Sequence, residues 1–158
     1  MARVVLIALA LLTACSTSVS LSEELVAPTS ERITELSAKA GITLEPGDAD
    51  CAARKLDDEV ALQLESEPPG DEAVLAASES VVECVGHELI ATAALTPQAG
   101  GVKASSLACA ASRLDEGFVA ALVANGMTGS ELPDVEVELS VVTAFAVCLD
   151  ITELSERQ

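Results

Sequence analysis

The sequence predicts an all-α protein in which two disulfide-closed helical hairpins stack side by side behind a short leading helix. Three observations predict this fold. Apolar residues recur at a helical period between turn signals, one motif occurs twice, and four cysteines can be paired around turns. With 158 residues, half of them hydrophobic, the chain is long enough for one compact domain or two small units.

The leading helix is expected from about Ser30 to Ala40, because Gly41 ends the periodic stretch. The first arm of the first hairpin follows, and Pro68-Pro69-Gly70 provides the turn to a second arm from 71 to 95. The apolar positions that carry the helical period in these two arms are Leu56, Val60, Leu64, Val74, Val81, Val85 and Leu89, with Leu75 and Val82 beside them.

The second hairpin has the same plan, with a turn signal from Gly126 to Gly129 between its arms. Val135 to Leu139 alternates between polar and apolar residues and could form a strand. The run from Ser140 to Leu149 favours a helix, so we predict a helix for the whole second arm. The periodic positions of the first arm are Leu107, Ala111, Leu114, Phe118, Ala121 and Leu122.

One motif links the two hairpins. The segment Cys51-Ala52-Ala53-Arg54-Lys55-Leu56-Asp57-Asp58 matches Cys109-Ala110-Ala111-Ser112-Arg113-Leu114-Asp115-Glu116 in the form C-A-A-x-(K/R)-L-D-(D/E). Downstream, Ser80-Val81-Val82 is loosely similar to Ser140-Val141-Val142. We interpret these matches as a duplicated unit of roughly 50 residues.

The cysteines Cys51, Cys84, Cys109 and Cys148 are expected to form disulfides, because an even number in an exported chain is typical of disulfides. Residues equidistant from the turn of an antiparallel hairpin lie opposite each other. Cys51–Cys84 and Cys109–Cys148 are both centred on turns, but so is Cys84–Cys109. The repeat favours the first two pairs, because like units should close alike. Each bridge would stabilise the fold by about 3.8 kcal/mol in the chain-entropy account.

The first residues form an export signal. Arg3 supplies a positive charge, and an apolar run from Val4 to Leu12 is too short to span a bilayer. Leu12-Thr13-Ala14-Cys15 resembles the lipobox of bacterial lipoproteins. The resemblance implies that residues 1–14 are removed and that Cys15 carries a diacylglycerol and acyl chains such as palmitate. An ordinary signal peptide with a chance cysteine is the alternative.

The chain as a whole resembles small, acidic, alanine-rich lipoproteins of high-GC bacteria, and this resemblance implies a location rather than an activity. Its predicted organisation is a signal peptide (1–14), a lipid anchor and tether (15–29), two helical units (30–96 and 97–150) and a tail (151–158). The predicted location is the cell envelope, on the extracytoplasmic side of a membrane.

A formal net charge of -18 excludes several partners. Nucleic acid binding needs clustered Lys and Arg, and so does adsorption to anionic lipid. Membrane association therefore depends on the lipid at Cys15, and a protein partner is possible. The aromatic residues are Phe118 and Phe145, so the sequence offers no aromatic platform for a sugar.

No catalytic constellation is apparent in the sequence. His87 is the single histidine, and it is expected to be a packing or surface residue rather than a catalytic base. Structural zinc would need closely spaced Cys or His residues, and these are missing. Gly100-Gly101 and Gly126 to Gly129 lack the lysine of a phosphate-binding loop and are expected to be turns. We therefore expect no cofactor, no metal and no enzymatic activity.

Calcium binding was considered at Asp48, Asp50 and Glu59, which fit positions 1, 3 and 12 of an EF-hand loop. Ala52 and Ala53 then occupy positions that need an oxygen ligand and a glycine, so the calcium loop is not favoured. Asp48 or Asp50 is better explained as a helix N-cap. The clusters Asp57-Asp58-Glu59 and Asp115-Glu116 are interpreted as solvated helix faces, with a weak cation site as the alternative.

The function predicted from these features is that of a non-enzymatic envelope lipoprotein that presents an acidic helical surface to a partner. The alternative is a lipoprotein that binds a lipid or an apolar small molecule between the hairpins. In that case Val81, Val85, Leu114 and Phe118 would line a cavity of about 300 Å³ or more.

Overall fold

The computed structural model describes residues 21–96, 100–129 and 135–149, with the backbone alone for 135–139. Within these residues the structure has helices and no strand, so the all-α prediction is confirmed. The predicted signal peptide, Cys15 and the tail from residue 151 lie outside the described residues. The helices are α1 (Glu23–Lys39), α2 (Pro46–Arg54), α3 (Asp58–Leu64), α4 (Asp71–Val85), α5 (His87–Leu95), α6 (Ala104–Ala111), α7 (Glu116–Thr128) and α8 (Val135–Cys148).

Two disulfides join helices, with the pairing that the repeat favours. Cys51 of α2 is bonded to Cys84 of α4, and Cys109 of α6 is bonded to Cys148 of α8. The segments they close are not simple hairpins, because each first arm contains two helices. Each disulfide therefore links the first and third helices of a three-helix unit, α2–α3–α4 or α6–α7–α8.

The repeated motif explains why the first arm is divided. Asp57 is the N-cap of α3, where its Oδ1 accepts a hydrogen bond from the Val60 backbone N–H at 2.8 Å. Asp115 caps α7 in the same way, with 2.9 Å between its Oδ1 and the Phe118 nitrogen. The interpretation of these two aspartates as solvated helix faces was therefore wrong. A short side chain that caps a helix starts a new helix at that position.

The leading helix α1 is longer and more central than predicted. It begins at Glu23 rather than near Ser30, so residues 23–29 of the predicted tether are helical. Val26 in this stretch is buried, as are Ile33 and Leu36 further along the helix, and α1 packs against α2, α3 and α7.

Polar contacts attach the start of α1 to the α2–α3 corner. The Ser22 backbone N–H and hydroxyl donate to the two carboxylate oxygens of Asp58, at 2.7 and 2.5 Å. The Arg54 guanidinium donates to both oxygens of Glu23 at 2.8 and 2.9 Å. The hydroxyl bond lowers the pKa of Asp58, and Arg54 lowers the pKa of Glu23. These contacts thus attach the chain to the folded domain from residue 22 onward.

The single helix predicted from 71 to 95 is two helices. Gly86 lies between them with a φ of 105°, a backbone conformation that favours glycine. α5 therefore does not continue α4 as one helix, and the apolar residues of the two segments do not lie on one helical face. Val74 and Val81 are buried on α4, whereas Leu89 on α5 is 68% exposed.

Both units contribute to one continuous core. α4 of the first unit packs along α7 of the second, and Ser78 of α4 donates a hydrogen bond to the Met127 sulfur at 3.4 Å. α7 also approaches α1 closely. A Cβ added at Gly126 would lie 2.7 Å from the Ala40 Cβ, so the small residues permit contact between the two backbones. This close approach of the two backbones provides packing that larger side chains would otherwise supply.

Most of the described side chains of α8, from Ser140 to Cys148, are exposed or partly buried. α8 is helical from Val135 to Cys148, which confirms the helix over the strand alternative. α8 packs broadly on α6, and the structure shows no comparable contact with another described helix. Ala144 is buried, whereas Val142 and Val147 are 60% and 59% exposed. The disulfide at Cys148 is therefore a main attachment of α8 to the domain.

Candidate functional site

The four cysteines predicted to be bridged are all oxidised to disulfides. Structural disulfides are typical of compartments outside the cytoplasm, so they indicate an extracytoplasmic location. Among the helices in the described ranges, none combines the length and the apolar character needed to cross a bilayer.

In the described part of the chain, no hydrogen bond joins His87 to a nucleophile or a carboxylate. It is the first residue of α5 and is partly buried. Its Nε2 atom is buried and has no hydrogen-bond partner among the described residues. A catalytic base needs a group to orient it and a group to act on.

The segment that matches positions 1, 3 and 12 of an EF-hand does not form a loop. Asp48 and Asp50 lie on α2 and Glu59 lies on α3, so helical backbone occupies the span that an EF-hand needs as loop. Across residues 21–96, 100–129 and 135–149, no group of three His, Cys, Asp or Glu side chains is arranged to hold a metal. The N-cap interpretation of Asp48 or Asp50 was also wrong, because α2 starts at Pro46 after Glu45.

An acidic groove lies where the two units meet. We use this name for the space lined by Glu79, Val82 and Glu83 of α4 and by Glu116 and Gly117 of α7, with a volume of about 250 Å³. All three carboxylates are on exposed residues. The groove is formed because α7 begins against the outer face of α4.

Few basic side chains neutralise the acidic groove. Lys55 approaches it, with its Nζ 2.5 Å from the Glu83 Oε1. Glu79 and Glu116 have no ion pair within the described part of the chain. Among the described residues, the carboxylates of Glu79 and Glu116 are therefore not offset by an ion pair.

The other ion pairs lie at α1, away from this groove. Arg32 and Lys39 both contact Glu35, at 2.8 and 3.1 Å, and the Lys39 and Arg32 cations lower the pKa of Glu35. Arg54 contacts Glu23 at 2.8 Å. Three of the four ion pairs between described residues therefore involve carboxylates of α1, and the fourth joins Lys55 to Glu83 of α4.

Part of the acidic groove had a sequence signal that was missed. Glu72, Glu79 and Glu83 are spaced by seven and four residues, so they fall on one side of a helix with 3.6 residues per turn. That spacing could have identified an acidic face on α4. The contribution of Glu116 had no such signal, because it depends on how α7 packs against α4.

The cavity foreseen for an apolar ligand does not have its expected lining. Val81 is fully buried in the core, and Val85 is partly buried beside it. Leu114 and Phe118 instead line a separate pocket of about 400 Å³ within the second unit. The remaining residues that line this second-unit pocket are Arg113, Asp115, Ser140, Thr143, Ala144 and Val147.

No protein-family model, curated protein or solved structure matches this chain. A functional assignment therefore depends on the chain's own geometry and charge.

Proposed function

We propose that the protein is a lipid-anchored envelope protein without enzymatic activity that presents an acidic helical surface to a cationic protein partner. The observation that carries this proposal is the acidic groove, in which Glu79 and Glu116 have no base within the described residues. Carboxylates arranged against a rigid helical scaffold attract Lys and Arg side chains of a partner and orient its approach.

The architecture suits a scaffold for such a surface. The groove lies between the first and second units, which we infer to be copies of one ancestral unit. α4 is held by the Cys51–Cys84 disulfide and by its packing on α7. The backbone positions of Glu79 and Glu83 are therefore fixed by the scaffold, so no backbone ordering is needed there when a partner binds.

The proposed anchor would hold this surface close to a membrane. Lipid on Cys15 would provide the attachment, and two or more acyl chains are needed for a stable one. The chain is fixed to the domain from Ser22 onward by its contacts with Asp58. The connection from Cys15 to Ser22 spans at most about 25 Å when fully extended. A partner would therefore bind near the bilayer surface.

Neutralising the acidic groove should weaken binding of a cationic probe. A fluorescent decalysine peptide is titrated with the wild-type protein and with Glu79→Gln/Glu83→Gln/Glu116→Gln at physiological ionic strength. Loss of the carboxylates of Glu79 and Glu116, which have no ion pair among the described residues, together with that of Glu83 should weaken binding about tenfold or more. The matched control, Glu24→Gln/Glu31→Gln/Glu45→Gln, removes the same charge from exposed positions on α1 and before α2.

The control should change the affinity for decalysine by less than about twofold, because distant exposed charges are screened within about 8 Å. Equal losses in the two triple variants would contradict the proposal, since binding would then reflect net charge rather than the acidic groove.

A further inference from the structure

The two units can be compared locally around each cysteine, although the cysteines are 33 residues apart in the first unit and 39 in the second. Lys55 and Arg113 each lie four residues after the first cysteine of their unit, in the repeated motif. Glu83 and Val147 each directly precede the second cysteine. The third helices agree with this alignment, because α4 and α8 begin at equivalent distances before Cys84 and Cys148.

The first unit is closed at this place by an ion pair. The Lys55 Nζ lies 2.5 Å from the Glu83 Oε1, so a base after the first helix is joined to a carboxylate on the third. The pair lies at the surface, and α3 packs on α4 in the same unit.

The second unit keeps the base, but no carboxylate among the described residues forms an ion pair with it. Val147 stands in the position of Glu83, and Arg113 has no ion pair with any side chain that the structure describes. α7 packs on α4 and α1 rather than broadly on α8. The second-unit pocket, about 400 Å³ in volume, is left between them.

The lining of the second-unit pocket divides into an apolar and a polar part. Leu114, Phe118, Ala144 and Val147 are apolar, while Arg113, Ser140 and Thr143 supply a guanidinium and two hydroxyls. The carboxylate of Asp115 also lines it, but its Oδ1 already accepts the Phe118 N–H as the cap of α7. A carboxylate near Arg113 is compatible with this cap, because Glu83 meets Lys55 beside the equivalent cap Asp57 in the first unit.

We propose that the second-unit pocket binds a free aliphatic carboxylate, such as a medium-chain fatty acid. The ligand's carboxylate would take the place that Glu83 occupies in the first unit and pair with Arg113. Its aliphatic chain would lie on Leu114, Phe118 and Val147. A charge-assisted bond to a guanidinium and an apolar floor are the features that distinguish a fatty acid from a neutral lipid. The volume falls within the range of small-molecule sites, about 300–1,000 Å³. This inference is independent of the acidic groove.

The test uses octanoate labelled with ¹³C at its carboxyl carbon, titrated with the full-length exported chain carrying Cys15→Ser, which has no acyl groups of its own. Binding is followed by the carboxyl chemical shift. We expect saturable binding to this chain and a loss of about tenfold or more in affinity for Arg113→Gln, because a bond to a charged group is removed. Val147→Glu supplies the carboxylate found in the first unit and should abolish binding.

Val142→Glu is the matched control, because Val142 is exposed to the same degree on α8 but does not line the second-unit pocket. It should leave the affinity within about twofold, since exposed charges contribute little at a distance. Uncharged 1-octanol should not displace octanoate. The proposal is overturned if octanoate fails to bind at millimolar concentration, if Val147→Glu binds as well as Val142→Glu, or if 1-octanol competes equally.

Discussion

Cys109→Ala/Cys148→Ala should release α8 from the domain while α1 to α7 stay folded. The disulfide closes a separation of 39 residues and contributes about 3.8 kcal/mol in the chain-entropy account. α8 packs on α6, and it exposes Val142 and Val147. Hydrogen exchange measured by mass spectrometry should show loss of protection in α8, with the other helices close to wild type.

The other disulfide provides the comparison. Cys51→Ala/Cys84→Ala removes a bridge over 33 residues, so the expected loss is also about 3.8 kcal/mol. α4 is in the centre of the core, between α2 and α7. The loss should therefore appear in the global free energy of unfolding, measured with urea, and in the exchange of every core helix. A uniform loss of protection in both double variants would contradict the peripheral position of α8.

Ile33→Ala should lower the free energy of unfolding by about 2–5 kcal/mol. Ile33 is on α1 and is fully buried, with 0% of its side chain exposed. The truncation removes apolar contacts and leaves a cavity at the junction of α1 with its neighbours. Urea denaturation monitored by circular dichroism measures the change, because the chain has no Trp or Tyr to report by fluorescence.

Leu62→Ala is the control, because Leu62 is 60% exposed on α3. It should change the free energy of unfolding by about 0.5 kcal/mol or less. A loss below about 1 kcal/mol in Ile33→Ala would mean that α1 is a peripheral leading helix, as its sequence suggested, and not a part of the core.

The sequence predicted the disulfide pairing because the repeat carries information that turn positions alone do not. Cys84 and Cys109 were also centred on a turn, and only the match between the two motifs favoured Cys51–Cys84 and Cys109–Cys148. The helical character of α8 was predictable from its apolar run, despite the alternation at Val135 to Leu139. Local pattern and internal similarity were sufficient for these features.

Helix boundaries were less predictable, because they depend on competing local signals. Gly86 and the two capping aspartates Asp57 and Asp115 lie within stretches whose apolar period continues across them. Pro28 lies within α1, where burial of Val26, Ile33 and Leu36 outweighs the cost of a proline. Tertiary contacts decide such cases, and a single sequence does not display them.

The candidate sites depend even more on packing. Glu79 and Glu83 share a face that spacing could have shown, whereas Glu116 joins them only because α7 starts against α4. The pocket at Arg113 is lined by Val147, which directly precedes Cys148 as Glu83 precedes Cys84. The Lys55–Glu83 ion pair of the first unit depends on packing, and so does the position of Arg113 in the second-unit pocket.

The most direct test of an extracytoplasmic, lipid-anchored, disulfide-closed domain is mass spectrometry of the protein extracted from its own membrane without reductant. The account predicts one species whose first residue is an acylated Cys15. Digestion of that species should yield linked peptides containing Cys51 with Cys84 and Cys109 with Cys148. An unmodified mature N-terminus at another residue, a Cys84–Cys109 link, or free thiols at all four positions would contradict it.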